Sequence, residues 1–166
     1  SLLRKASIVT TPTAYENGKI LSVKPSVVLG NELVTNGDFA TDSDWVKGTG
    51  WTISGGAASC DGTQTGNANL MSTFFDFSVD TKVTLSFDVI NYSAGNLAAS
   101  VTGTGQADLI GINANGTYSV TVVSSAGSRQ VDFTANSDFI GSIDNVSVKE
   151  AIDADFDFTR NSSATR

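Results

Sequence analysis

The strictest pattern in the sequence is an alternation of apolar and polar side chains over residues 82–90. The apolar residues at every second position are Val83, Leu85, Phe87 and Val89. Side chains of a strand point alternately to its two faces, so this pattern predicts a strand with one face in a core and the other towards water. A similar alternation recurs at residues 50–54, 117–123 and 129–134, so we expect a chain built from short strands.

Turn signals separate these apolar segments. Gly55-Gly56, Asn115-Gly116 and the stretch 91–96 lie between them, and Gly and Asn favour tight turns. Fourteen of the seventeen acidic residues are Asp, which favours turns, and no helical periodicity extends over ten residues. Roughly eight to ten strands in residues 31–150 predict an all-β fold, an antiparallel two-sheet β-sandwich or jelly roll.

The closing strand of this sandwich is predicted at residues 141–150, GSIDNVSVKE. Val146 and Val148 should face the core, and the alternation places Asp144 on the same side. A carboxylate there needs a metal ion, a cationic side chain or backbone N–H groups as a partner. We expect this strand to meet the opening segment 36–39, NGDF, so that the domain closes between its two ends.

Residues 1–30 form a separate N-terminal arm in this interpretation. Strands are predicted at Ile8–Thr10 and Ile20–Val23, with an Asn17-Gly18 turn that makes the arm a β-hairpin. An isolated hairpin is at best marginally stable in water, so the arm is expected to dock on other protein.

Residues 151–166 form a C-terminal extra strand and tail. Apolar and acidic residues alternate over 155–158, and Phe156 and Phe158 need a surface that covers them, so both are docking candidates. The polar end RNSSATR predicts that a longer protein continues beyond this segment.

Charge and composition exclude several classes of function. A net charge of −7 without a basic patch predicts that the chain binds neither nucleic acid nor an anionic membrane. The sequence contains no histidine, which excludes Ser-His-Asp catalysis and His-ligated zinc. Cys60 is the single cysteine, so no internal disulfide forms, and we expect a small core residue there. No nucleophile–base motif or paired-carboxylate arrangement is recognisable, so we expect no enzyme.

Residues 33–54, LVTNGDFATDSDWVKGTGWTIS, and 141–149, GSIDNVSVK, resemble the opening and closing strands of carbohydrate-binding-module-like, galactose-binding-like jelly rolls. The resemblance implies one structural Ca²⁺ between the two ends, with Asp38 and Asp144 as ligands. Many members of that family carry Glu where this chain has Ala40, so one frequent ligand is missing. From the residues alone, Asp144 could instead accept backbone hydrogen bonds, and Asp38 could cap its turn.

The two flanks resemble a different group of proteins. Residues 5–25, KASIVTTPTAYENGKILSVKP, and 155–166, DFDFTRNSSATR, are similar to two consecutive segments of tailed-bacteriophage virion proteins, with the jelly roll inserted between them. The resemblance implies a non-enzymatic structural component of a virion, such as a fibre, tail or capsid decoration protein. Other virion proteins and further copies of the chain are the expected partners, and a trimer would suit a fibre.

An alternative is a glycan-binding module that attaches the particle to a host surface, or an accessory module of a larger depolymerase. Such a module needs an exposed aromatic ring on which a sugar can stack. Trp51 shares a face with Ile53, and Tyr118 shares one with Val120, so we expect Trp51 and Tyr118 to lie in the core. Tyr92, in a predicted turn, is the best candidate for an exposed sugar ligand.

Overall fold

The computed structural model describes residues 28–77, 80–101, 108–124 and 127–152, and the backbone of 15–16 and 19–20; at 77, 124, 127 and 128 it describes the backbone alone. The chain divides into two compact units. One is Leu29–Ala151, and the other combines Ser1–Val28 with Ile152–Arg166. The described residues contain no helix long and apolar enough to cross a membrane.

The described residues form strands and turns. The strands are β1 Tyr15–Glu16, β2 Lys19–Ile20, β3 Val28–Glu32, β4 Trp45–Lys47, β5 Trp51–Ser54, β6 Ala57–Asp61, β7 Ala68–Ser72, β8 Phe75–Phe77, β9 Thr81–Ala94, β10 Leu97–Ser100, β11 Leu109–Ile112, β12 Gly116–Ser124, β13 Gly127–Arg129, β14 Asp132–Ala135 and β15 Ile140–Ile152.

Two antiparallel sheets build the larger unit. One has the strand order β11-β10-β14-β7-β4, and the other has the order β12-β9-β15-β6-β5, with β3 also paired to β15. A short ribbon of β8 and β13 accompanies them. The predicted all-β antiparallel sandwich of the jelly-roll class is therefore confirmed.

The core lies between the two sheets, as the alternation on β9 predicts. Val83, Leu85, Phe87 and Val89 of β9 are at most 1% exposed, and Phe133 from the other sheet is fully buried. The rings of Phe87 and Phe133 meet edge to face with 4.8 Å between their centroids. Aromatic contacts of this geometry add to the stability that burial alone provides, so this pair links the sheets at their centre.

Strand β9 is longer than predicted. The sequence places a turn at residues 91–96, but β9 continues to Ala94 and the reversal falls at Gly95. Gly95 has φ +76°, and a β-carbon there would lie 2.3 Å from the backbone nitrogen of Phe139. Only glycine fits so close to another backbone, and this close approach sets the position of the turn.

The closing strand contains a β-bulge that the sequence analysis missed. The register between β15 and β9 shifts between Asp144 and Ser147, where Asn145 has φ +53°. The extra residue reverses the alternation, so Ile143 is buried as well as Val146. The prediction that Asp144 shares the core face of Val146 and Val148 is wrong. Asp144 instead lies opposite Asp88 in the β9 ladder, on the outer face.

The N-terminal hairpin is present as β1 and β2, which pair Tyr15 with Ile20 and Glu16 with Lys19. Strand β1 lies between the two predicted strands, and of the second, Ile20–Val23, the structure describes Ile20 alone. The strand predicted at Ile8–Thr10 lies outside the described residues, and so do Phe156 and Phe158.

Candidate functional site

A single carboxylate, that of Glu32, joins the first strand of the sandwich to the last. Its Oε1 accepts the backbone N–H of Val148 at 2.7 Å and the N–H groups of Leu33 and Val34 at 3.1 Å. Its Oε2 accepts the hydroxyl of Ser147 at 2.5 Å. Charge-assisted hydrogen bonds of this kind are stronger than neutral ones, so Glu32 is the polar anchor of the closure.

The opening turn also contacts the closing strand, as the sequence predicts. Val146 donates its N–H to the carbonyl oxygen of Gly37 at 2.8 Å. Asn36, with φ +53°, accepts the N–H of Thr41 and donates from Nδ2 to the carbonyls of Thr41 and Ser43 at 2.7 and 2.9 Å. The side chain of Asn36 therefore organises the loop that follows the turn.

The two predicted calcium ligands each accept a local backbone N–H. Asp38 accepts the N–H of Ala40 at 3.4 Å, and Asp144 accepts that of Asn145 at 2.6 Å. Within the described ranges, no three residues among His, Cys, Asp and Glu are placed to hold a metal ion together. These two carboxylates alone supply fewer ligands than the six to eight oxygens Ca²⁺ takes. Calcium at Asp38 and Asp144 stays a prediction from the sequence resemblance.

Asp88 forms a polar cluster on the outer face of its sheet, beside Asp144. Thr117 donates its hydroxyl to Asp88 Oδ1 at 2.6 Å, and Asn145 donates from Nδ2 to Oδ2 at 2.8 Å. These two hydrogen bonds stabilise the ionised form and lower the pKa of Asp88, and the bond from Thr117 has the larger effect. The bulged residue Asn145 thus ties the closing strand to β9.

Both tryptophans are core residues. Trp45 is 6% exposed and donates its Nε1–H to the carbonyl of Asn36 at 3.0 Å, and Trp51 is 4% exposed and donates to the carbonyl of Ala68 at 3.2 Å. Tyr118 is half-buried and stacks on Phe87 at 5.7 Å between ring centroids. The core assignment of Trp51 is therefore confirmed, whereas Tyr118 packs against the edge of the core and stays half-buried.

Tyr92 lies within β9 and not in the turn that the sequence predicts. It is half-buried, its ring lies 6.3 Å from that of Phe139, and its hydroxyl donates to the carbonyl of Gly95 at 3.0 Å. The ring is thus committed partly to packing at the end of the sandwich. Its role as a sugar ligand stays a prediction.

A polar groove opens where the chain passes between the two sheets. Its volume is about 490 Å³, and it is lined by Gly48, Thr49, Gln64, Thr65, Gly66, Asn67, Ala68 and Asn69. The loop between β4 and β5 forms one wall, and the loop between β6 and β7 forms the other. Gly48 donates its N–H to the carbonyl of Asn69 at 2.7 Å, which holds the walls together.

Gln64 anchors the floor of this groove. It is 4% exposed, and its Nε2 donates to the carbonyls of Asn136 and Phe139, each at 2.9 Å. Its Oε1 accepts the thiol of Cys60 at 3.3 Å. Burial raises the pKa of Cys60, so the thiol stays protonated and able to donate.

Asp61 orders the start of the second wall. Its Oδ1 accepts the hydroxyl of Thr63 at 2.7 Å and the N–H of Thr63 at 3.0 Å. These hydrogen bonds lower the pKa of Asp61, and the bond from the Thr63 hydroxyl has the larger effect. The groove lining itself offers amides, hydroxyls and backbone groups without a charge. Residues 61–69, DGTQTGNAN, carry a run of amides and hydroxyls, and this run is a sequence signal for the groove that the predictions above did not use.

Comparison with solved structures finds this fold elsewhere. The enzymatically active domain of tailspike protein 4 from bacteriophage CBA120 is similar with a TM-score of 0.54 and 20% identity, over 72% of this chain. The match covers 21% of that domain, so the chain spans about a fifth of its length. This similarity shows a shared fold.

Two carbohydrate-binding modules are also similar, at lower TM-scores. The C-terminal CBM6 of a laminarinase from Zobellia galactanivorans has a TM-score of 0.44 and 14% identity, over 72% of this chain and 98% of the module. A module of lichenase 5A from Cellvibrio mixtus, solved with cellotriose, has a TM-score of 0.43 and 20% identity, over 75% of this chain and 98% of the module. No model of a known protein family matches the chain, and no curated protein matches its sequence.

Proposed function

We propose that this chain is a non-enzymatic structural component of a bacteriophage particle, in which the sandwich is an inserted module. The observation that carries the proposal is that the sandwich begins and ends side by side. A β-carbon on Gly30 would lie 3.3 Å from that of Glu150, and Glu32 bonds to Val148. Domains with adjacent ends can be inserted into a host chain without separating its two halves.

The flanking sequences support the same proposal. Residues 5–25 and 155–166 resemble two consecutive segments of phage virion proteins, so the host chain would be a virion protein. In this account Phe156 and Phe158 dock the chain to neighbouring virion proteins. The shared fold within a phage tailspike is compatible with such a setting.

Analysis of purified particles tests the structural role. In the phage that encodes this chain, mass spectrometry should find it in washed particles at a fixed copy number. The variant Phe158→Asp should be lost from particles while the sandwich stays folded, because a charge on the docking surface opposes burial. A chain found only in the soluble lysate, or a variant that is incorporated normally, would contradict the proposal.

A second candidate function is the binding of a neutral glycan, favoured by the polar groove. Its amides and hydroxyls can exchange hydrogen bonds with sugar hydroxyls, but they are not groups that transfer protons near neutral pH. The lining therefore suits binding rather than hydrolysis. Weak single sites would gain avidity from the many copies on a particle, which fits attachment to a host surface.

NMR titration of the labelled full chain with neutral oligosaccharides tests this candidate. Amide shifts should move at Thr49 and at residues 65–69, and Asn67→Ala should weaken binding. Tyr92→Leu separates the two candidate ligand sites, because it leaves the groove intact. Repeating the titration with Ca²⁺ tests the calcium prediction. Absence of shifts up to about 10 mM sugar would exclude a useful affinity.

A further inference from the structure

One edge of the six-stranded sheet is long and carries no charge. Strand β12, Gly116–Ser124, is the last strand on that side, and β9 is its one partner among the described strands. Its nine residues, GTYSVTVVS, include no charged residue and no proline. The pairing with β9 runs in register from end to end without a bulge. Charges, prolines and bulges are the usual means by which proteins protect edge strands, and β12 has none of them.

The other sheet edges differ from β12 in length. On the opposite side of the same sheet, β5 has four residues and β3 has five, and the edges of the second sheet, β4 and β11, have three and four. Short edges offer few unpaired backbone groups to another chain. Strand β12 is therefore the edge best suited to accept an additional strand.

The inward side chains of β12 are incompletely covered. Tyr118, Val120 and Val122 pack against the core but stay half-buried, whereas their neighbours on β9 are at most 1% exposed. On the outer face, Val123 is 56% exposed. A strand added beyond β12 would cover these apolar groups and pair the outward backbone N–H and C=O groups.

We propose that β12 pairs with β12 of a second copy of this chain, antiparallel and centred on Val120, so that the two sheets become one continuous sheet. In this register Tyr118 faces Val122 of the other copy, and Ser119 faces Thr121. Aromatic–aliphatic and hydroxyl–hydroxyl pairs are favourable across strands, and the sheet already contains a Thr84–Thr121 pair at 2.8 Å.

The charge of the chain restricts where two copies can meet. Two chains of net charge −7 repel each other over most of their surfaces. When two β12 strands pair, no carboxylate of one strand faces a carboxylate of the other. In the antiparallel register centred on Val120, apolar residues of one β12 face apolar residues of the other on the inner face. The surface is therefore a homotypic interface.

Sedimentation velocity of the full chain over a concentration series tests the proposal. The wild-type chain should form a dimer that the double variant Ser119→Lys, Thr121→Lys weakens about tenfold, because lysines then face each other twice across the two-fold axis. The matched control is Thr52→Lys, Ser54→Lys, which adds the same charges to exposed positions of β5 at the other edge and should leave the dimer intact.

Charge reversal identifies the interface. The variant Ser119→Glu, Thr121→Glu should weaken the dimer to a similar extent, and mixing it with the lysine variant should restore the dimer through opposite charges. Circular dichroism checks that all variants keep the fold. A wild-type chain that stays monomeric, a dimer that the β12 lysines do not affect, or folded variants that fail to associate on mixing would each overturn the proposal.

Discussion

Val146 and Gly37 lock the two ends of the sandwich together through their backbones. Val146 donates its N–H to the Gly37 carbonyl at 2.8 Å, and a β-carbon on Gly37 would lie only 2.0 Å from the carbonyl oxygen of Val146. The opening turn thus fits against the closing strand only because residue 37 has no side chain. The contact joins residues more than a hundred positions apart and closes the module.

Gly37→Ala should therefore be strongly destabilising. The added methyl group must displace backbone, not a flexible side chain, so we expect a loss of about 3 kcal/mol in the free energy of unfolding. Urea denaturation measures it. Gly66→Ala is the control, because a β-carbon there has no atom within 4 Å, and its effect should stay within about 0.5 kcal/mol. Equal stability of the two variants would show that the turn does not pack on β15.

Glu32→Ala should open the same closure from its polar side. The change leaves the N–H of Val148 and the hydroxyl of Ser147 without their acceptor, so we expect a loss of about 2–3 kcal/mol. Asp42→Ala removes a carboxylate that pairs with Lys47 at the surface, and it should cost less than about 1 kcal/mol. A Glu32→Ala variant as stable as Asp42→Ala would contradict the anchoring role.

Where local pattern alone decides the structure, the sequence was a sufficient guide. The turn signal at Asn115-Gly116 is an exception, because Gly116 is the first residue of β12, and β11 and β12 lie in different sheets instead of pairing across a tight turn. The alternation of β9, the paired burial of Trp51 and Ile53, and the turn at Gly55-Gly56 all follow from the side-chain period of strands and from turn chemistry. These features determine the all-β sandwich, because each is set by residues next to one another in the chain.

Features that depend on distant contacts were beyond such reasoning. The bulge at Asn145 is stabilised by Asp88, 57 residues away, and no local pattern predicts the reversal it imposes on Asp144. Glu32 acquires its role from Ser147 and Val148. The groove forms only when two loops converge on the buried amide of Gln64. Expectations for the ends of the sandwich therefore named the right region but did not identify Glu32 as the carboxylate that joins them.

Substitutions at Asn36 should separate its backbone role from its side-chain role. Asn36→Gly keeps easy access to φ +53° but loses the side-chain hydrogen bonds to Thr41 and Ser43. Asn36→Ala loses those hydrogen bonds and also the easy access to a positive φ. We expect Asn36→Ala to be the less stable variant by about 1 kcal/mol, measured by thermal unfolding. Trp45 fluorescence reports on the same loop, because its indole bonds to the carbonyl of Asn36. Identical stabilities would imply that the positive φ carries no strain.

Thr117→Val should raise the pKa of Asp88 towards its ordinary value, because the Thr117 hydroxyl is the main cause of the lowered pKa. A depressed pKa in the folded state stabilises the fold above the unfolded pKa, and this contribution is lost as the pH falls through the folded value. The loss of folding stability on acidification should therefore be smaller in the Thr117→Val variant than in the wild-type protein. NMR titration of the Asp88 carboxyl measures the shift, with Ser119→Ala as the control. An unchanged pKa would rule out the proposed cause.

The most direct test of the inserted-module account is a cross-link between the two ends of the sandwich. In a Cys60→Ser background, Gly30→Cys and Glu150→Cys place two β-carbons about as close as a disulfide requires. Mild oxidation at low protein concentration should give an internal disulfide in nearly every molecule and raise the free energy of unfolding by about 2–4 kcal/mol. A folded protein that keeps both thiols reduced, or forms disulfides only between molecules, would mean that the two ends of the sandwich do not lie side by side.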